Sequence, residues 1–154
     1  MGETRFYHLE RQRLDQALPA LLTVWREEGA RIVVEARSQE RVDALDEKLW
    51  TFTDESFLAH GSARDGDPED QPIWLTTDEE SANGARRRVI VVEGGDVAAV
   101  AASWSDLEIL VFMFDGRDAA ALEAARALWK ALRANVPPAT YWREGEEGGW
   151  QKAR

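Results

Sequence analysis

Two stretches of this chain, Arg31-Ile-Val-Val-Glu-Ala36 and Leu107 to Phe114, are apolar at nearly every position rather than at every second one. A strand with that pattern has no face to give to water, so it belongs inside a sheet that is covered on both sides. The segments around them carry a different period. Leu14, Leu18, Leu21, Leu22 and Trp25 recur at helical spacing between about Leu14 and Glu28, and Gly29 closes that helix. Pro19 fits only if the helix begins a residue or so before it. Ser38 has the chemistry of an N-cap for a second helix reaching about Phe52. Asp118 to about Ala134 is the clearest helix, and a short alanine-rich one is expected over Val97 to Trp104. Arg5 to Leu9, Ile73 to Thr77 and Arg88 to Val92 read as strands, and Thr140-Tyr-Trp142 as an edge strand.

Strands and helices that alternate in this way predict an α/β fold: one three-layer, mostly parallel sheet with helices on both faces. With 154 residues, no internal repeat and no linker, a single domain over 1–142 is expected, followed by a glycine- and glutamate-rich C-terminal extension, 143–154, that frays.

Several function classes are disfavoured by what the sequence lacks. Cysteine is absent and only His8 and His60 represent histidine, so neither disulfides nor a thiolate or histidine-rich metal centre is expected. No run of about 18 apolar residues exists for a membrane span, and the N-terminus has no apolar signal core, so a cytoplasmic location without membrane contact is expected. A net charge of −10 opposes DNA phosphate over the surface as a whole, which argues against strong direct nucleic-acid binding. The triplet Arg86-Arg87-Arg88 with nearby tryptophans is a local exception that single-stranded DNA would use.

An open α/β sheet invites a search for a phosphate loop, and neither G-x-x-x-x-G-K-[ST] nor G-x-G-x-x-G is present. The first strand runs into Leu9-Glu-Arg-Gln-Arg13, whose side chains keep the backbone away from a phosphate. Gly94-Gly95 is flanked by Glu93 and Asp96, which repel one. No cofactor is implied. An alternative reading is a small nucleotide-binding protein or hydrolase that uses the loop from His60 to Asp70, with His60, Ser62, Asp65 and Asp67 as its polar groups. Ser62 lies in no G-x-S-x-G elbow and the calcium-loop pattern is missing, so a solvated polar loop is the preferred reading there.

The third helix carries more information. At about 100° per residue, Ala121, Ala124, Ala125, Leu128 and Leu132 share one face, which is the core stripe. Arg126, Lys130 and Arg133 lie together on the other side, with Trp129 and Leu122 at the border, and no acidic residue follows Glu123 before the helix ends. Basic residues on a helix are usually its solvated face. A basic strip without acidic company, beside an aromatic, also suits a ligand that combines carboxylates with an apolar group. In the second helix, Val42, Leu45 and Leu49 form the buried stripe while Trp50 projects away from it, followed by Phe52 and Phe57. Such residues either pack under the next loop or anchor a protein partner.

Phe6-Tyr7-His8-Leu9, Asp46-Glu47-Lys48-Leu49-Trp50, Glu55-Ser56-Phe57-Leu58-Ala59-His60, Gln71-Pro72-Ile73-Trp74-Leu75 and Ala125-Arg126-Ala127-Leu128-Trp129-Lys130-Ala131 together resemble, in order and spacing, the chi subunit of bacterial DNA polymerase III holoenzyme. The resemblance runs from Arg5 to Trp142. It implies a mononucleotide-binding-like fold without a phosphate loop and a non-catalytic accessory role in the clamp-loader complex. It implies that Arg126, Trp129, Lys130 and Arg133, with Phe114, bind the acidic, phenylalanine-terminated C-terminal tail of single-stranded-DNA-binding protein. It further implies that Trp50 and Phe57 meet the psi subunit, or a psi-like or helicase partner. Well-known members carry a lysine where this chain has Leu122, which implies a weaker hold on the acidic tail, and residues 143–154 have no clear counterpart.

Overall fold

A computed structural model of the chain describes residues 3–51, 60–62, 70–77, 83–93, 107–132, 139–144 and 150–153. Eight strands form one sheet: β1 (Glu3–Leu9), β2 (Ile32–Glu35), β3 (His60–Ser62), β4 (Ile73–Thr76), β5 (Arg87–Val91), β6 (Ile109–Asp115), β7 (Thr140–Glu144) and β8 (Trp150–Lys152). Their order across the sheet is β3-β4-β2-β5-β6-β1-β7-β8, and every neighbouring pair is parallel except β7 with β8. Helices α1 (Leu14–Glu27), α2 (Gln39–Thr51) and α3 (Ala119–Leu132) cover the two faces.

The alternation of side chains along each strand assigns the layers. Tyr7 and Leu9, Ile32 and Val34, Val89 and Val91, and Val111 and Met113 pack under Leu18, Leu22 and Trp25 of α1 and Val42, Leu45 and Leu49 of α2. The intervening residues Phe6, Ile90, Phe112 and Phe114 pack under Ala121, Ala125, Leu128 and Leu132 of α3. Each fully buried leucine of these stripes contributes about 2 kcal/mol by leaving water. The one acidic residue in the apolar β2 run, Glu35, is matched across the sheet by Arg88 of β5 at 2.5 Å, with both side chains buried.

The helix ends follow local chemistry. The N–H of Arg13 donates to Gln16 Oε1 at 3.1 Å, and α1 starts there, well before Pro19. Pro19 is therefore an interior residue rather than a first-turn one, and its ring removes an N–H that would have reached the Asp15 carbonyl. Gly29, at φ 80°, ends α1: its N–H donates to the Arg26 carbonyl and that of Ala30 to the Trp25 carbonyl. This is the paired closure that a left-handed residue allows. The Ser38 hydroxyl accepts the Arg41 N–H at 3.2 Å at the start of α2, and Asp118 Oδ1 accepts the Ala120 N–H at 3.0 Å at the start of α3.

Three expectations change. Thr140–Glu144 is not an edge strand, because β8 covers its outer side. The extension does not simply fray: Trp142, Arg143 and Glu144 register with Lys152, Gln151 and Trp150, and the Trp150 ring stacks on Tyr7 with centroids 4.5 Å apart. His60–Ser62 is a short edge strand beside β4 rather than loop. The helix expected over Val97 to Trp104 lies outside the described residues.

Candidate functional site

Parallel register sets the site. His8 of β1 stands level with Phe114 of β6 on one side and Arg143 of β7 on the other. Phe6, one pleat earlier, stands level with Phe112 and Tyr141. All of these occupy the face that α3 covers. Where α3 passes over β1 and β7 it leaves a groove of about 490 Å³, lined by His8, Leu122, Arg126, Trp129, Lys130, Tyr141, Arg143 and Ala153. Leu122, Arg126, Trp129 and Lys130 recur at four, three and one residues, so one flank of α3 forms a wall. His8 and Tyr141 form the floor.

The floor is packed and polar at once. His8 Nδ1 lies 2.7 Å from the Tyr141 hydroxyl, and the Trp129 ring meets both Phe6 and Tyr141 edge-on at 5.4 Å. Among the described residues the buried indole nitrogen of Trp129 has no hydrogen-bond partner. Burial holds His8 below its ordinary basicity, Arg143 and Arg126 press in the same direction, and Glu10 and Asp115 oppose them. Gly116 is required beside it, since a Cβ there would sit 1.8 Å from His8 Nε2.

The wall is cationic. Arg126 and Lys130 are exposed, and no carboxylate among the described residues pairs with either. With Trp129 and Leu122 beside them, the groove offers fixed positive charge next to apolar surface. That arrangement can hold a carboxylate and an aliphatic or aromatic group of one ligand together.

The structure thus brings Arg126, Trp129 and Lys130 into one groove. Phe114 is not part of its wall. Its side chain is buried, and its ring packs against His8 and Tyr141 with centroids 5.0 and 6.3 Å away, supporting the floor from below. Arg133 and Phe57 lie outside the described residues, and Trp50 falls in the last turn of α2 with its side chain likewise outside them. Sequence reasoning missed His8, Tyr141 and Arg143. The usable signal was strand alternation, which puts Tyr141 and Arg143 on one face of β7; the register that sets them level with Phe6 and His8 is tertiary.

The other candidate sites fare differently. Ser62 is fully buried within β3, so its hydroxyl is no surface nucleophile, while Asp65 and Asp67 lie outside the described residues. In the arginine triplet, Arg88 is consumed by Glu35. Arg87 pairs with Glu28 and Glu108 at 3.1 Å each and lies over the Trp25 ring at 5.4 Å. A second crevice, about 510 Å³, opens at the carboxyl ends of β5 and β6, where open α/β sheets usually bind ligands. Its cations are matched within the chain: Arg41 with Glu93 at 2.8 Å, Arg117 with Asp115 at 2.9 Å, and Arg13 and Lys48 with Asp15 at 3.7 Å each. Among the described residues no group of three or more acidic or histidine side chains is disposed to hold a metal ion. Nor is any described helix long and apolar enough to cross a membrane.

Comparison with known proteins identifies the family. The family model described as DNA polymerase III chi subunit, HolC, matches residues 1–138. A protein of Rickettsia prowazekii (strain Madrid E), named probable DNA polymerase III subunit chi, is 26% identical over 91 residues. Those residues are 59% of this chain, and the match spans 55% of the relative's length.

Proposed function

The chain belongs to the family of DNA polymerase III chi subunits, and on that footing we propose that it is a non-catalytic adaptor that joins the replicase to other proteins. An accessory, non-enzymatic role in DNA replication follows from the family. The finer reading is that it works within the clamp-loader complex and binds the acidic, phenylalanine-terminated tail of single-stranded-DNA-binding protein in the α3 groove. The observation that carries this reading is the pair of exposed cations Arg126 and Lys130 beside Trp129, unmatched by any carboxylate among the described residues, on a chain of net charge −10. An acidic peptide is repelled by most of such a surface and attracted here. The forked guanidinium of Arg126 suits two-point contact with a terminal carboxylate, Lys130 suits a neighbouring aspartate, and the Leu122 and Trp129 side chains suit the aromatic ring. Arg133 extends the same strip in sequence.

A second surface is proposed for the psi subunit, or for a psi-like or helicase partner, with Trp50 and Phe57 as anchors. The family resemblance of those two residues supports it.

Isothermal titration with a synthetic acidic peptide ending in Asp-Ile-Pro-Phe tests the tail site. One-to-one binding is expected that weakens with added salt, because exposed charge pairs are screened, and that is strongly weakened in Arg126→Ala. Undiminished binding by Arg126→Ala with the fold intact would move the site elsewhere.

A further inference from the structure

The groove has two walls, and α3 is not its only source of positive charge. Arg143, on β7, faces it from the other side, with its side chain about half exposed. Its pairing differs in kind from that of Arg126 and Lys130. Arg143 Nη1 lies 3.5 Å from Glu10 Oε1, and the same carboxylate oxygen lies 3.8 Å from His8 Nε2. Glu10 follows β1 directly and its backbone is fixed, because its N–H donates to the buried carboxylate of Glu144 at 2.8 Å. A carboxylate of the chain's own is therefore held at the strand wall of a groove whose helix wall has none.

We propose that Arg143 is a second anion-binding residue of the groove, and that Glu10 occupies it until a carboxylate of an acidic peptide takes its place. The proposal rests on the acidic-peptide reading given above and adds the partner's path: the peptide spans from Arg126 and Lys130 on α3 across His8 and Tyr141 to Arg143 on β7. Three observations converge on it. Arg143 shares the groove lining with Arg126 and Lys130. Both Arg143 and Arg126 bear on the His8 imidazole between them, from opposite walls. The Glu10–Arg143 pair is exposed on both sides, with side chains 39% and 55% accessible, so exchanging Glu10 for another carboxylate costs little.

The two residues should act in opposite directions. With the same acidic peptide at fixed, low salt, Arg143→Gln is expected to weaken binding about three- to tenfold, the range of a partly exposed charge contact. Glu10→Gln is expected to tighten it about two- to threefold. The double variant Glu10→Gln/Arg143→Gln should bind like Arg143→Gln alone, since Glu10 acts by competing for Arg143. Both side chains are exposed and thermal melting should not move, which separates a binding role from a structural one. Wild-type affinity in Arg143→Gln, together with loss of binding in Arg126→Ala, would overturn the second wall and leave the tail site standing. Tightening by Glu10→Gln that persists without Arg143 would overturn the exchange, showing that Glu10 acts only through overall charge. Failure of the wild-type protein to bind the peptide at all would sink the acidic-peptide reading and this inference with it.

Discussion

Two crevices of nearly equal volume, about 510 and 490 Å³, lie on either side of the segment that leads from β1 into α1, and both are rich in cations. In the first, at the carboxyl ends of β5 and β6, Arg13, Arg41, Lys48 and Arg117 each face a carboxylate of the chain. In the second, Arg126 and Lys130 face none among the described residues, and Arg143 has only the exposed Glu10. The fold would place a nucleotide in the first, yet its charge is spent internally. The surface available to an anionic partner is the one the sheet does not nominate. What sets the proposed site apart from the first crevice is that Arg126 and Lys130 have no acidic partner among the described residues, and not the number of cations.

The segment between the crevices is pinned from both sides. Glu144 accepts the backbone N–H groups of Glu10, Arg11 and Gln12 at 2.8, 3.1 and 3.2 Å, and Arg117 donates to the carbonyls of Arg11 at 3.3 Å and Gln12 at 2.9 Å. Removing the buried Glu144 carboxylate by Glu144→Ala strands three donors at once. It should cost about 3 kcal/mol of stability in chemical denaturation and loosen both crevices together. A loss under about 0.5 kcal/mol would mean that the two regions are positioned independently of this anchor.

The next largest effect sharpens the contrast. Arg126→Ala should weaken acidic-peptide binding by about 2 kcal/mol, some thirtyfold, as the loss of a charge-assisted contact. Arg41→Ala, in the first crevice, should leave that affinity within about twofold, since Arg41 is matched by Glu93. Equal losses in both variants would make the peptide a reader of general positive charge. Gly116→Ala is expected to displace the His8 ring from the groove floor, lowering both the melting temperature and peptide affinity, with heteronuclear spectra reporting the His8 shift.

The smallest effect is one of pH. Burial, followed by Arg143 and Arg126, keeps the folded-state basicity of His8 below its ordinary value of 6.5. The unfolded chain therefore binds that proton more readily. The contribution of His8 to stability is full above pH 6.5 and is lost as pH falls through it toward the folded value. His8→Phe should flatten the slope of stability against pH in that window, and an unchanged slope would assign it to other groups.

The parts of the molecule that depend on local pattern were legible from residues alone. The apolar runs of β2 and β6 and the stripe Ala121, Ala125, Leu128 and Leu132 declare a covered sheet and a helix packed on it. Arg126, Trp129 and Lys130 are neighbours by helical period, so their grouping needed no tertiary information. The rest of the groove is set by register between strands far apart in the chain: His8 and Arg143 meet only because β7 lies beside β1. Ending the domain at Trp142 set aside Arg143 and Glu144, because a glycine- and glutamate-rich tail gives no local sign that one of its carboxylates is a buried anchor. Phe114 came to the site only through the family resemblance, and its side chain is buried beneath α3.

The contrast between the crevices is tested most directly by following backbone amide shifts while the acidic, phenylalanine-terminated peptide is titrated in. Saturable shifts are expected along 122–132 of α3 and 140–144 of β7, with 39–48 of α2 and the 115–118 turn unmoved. Shifts centred on α2 and that turn, or none at low salt, would contradict it.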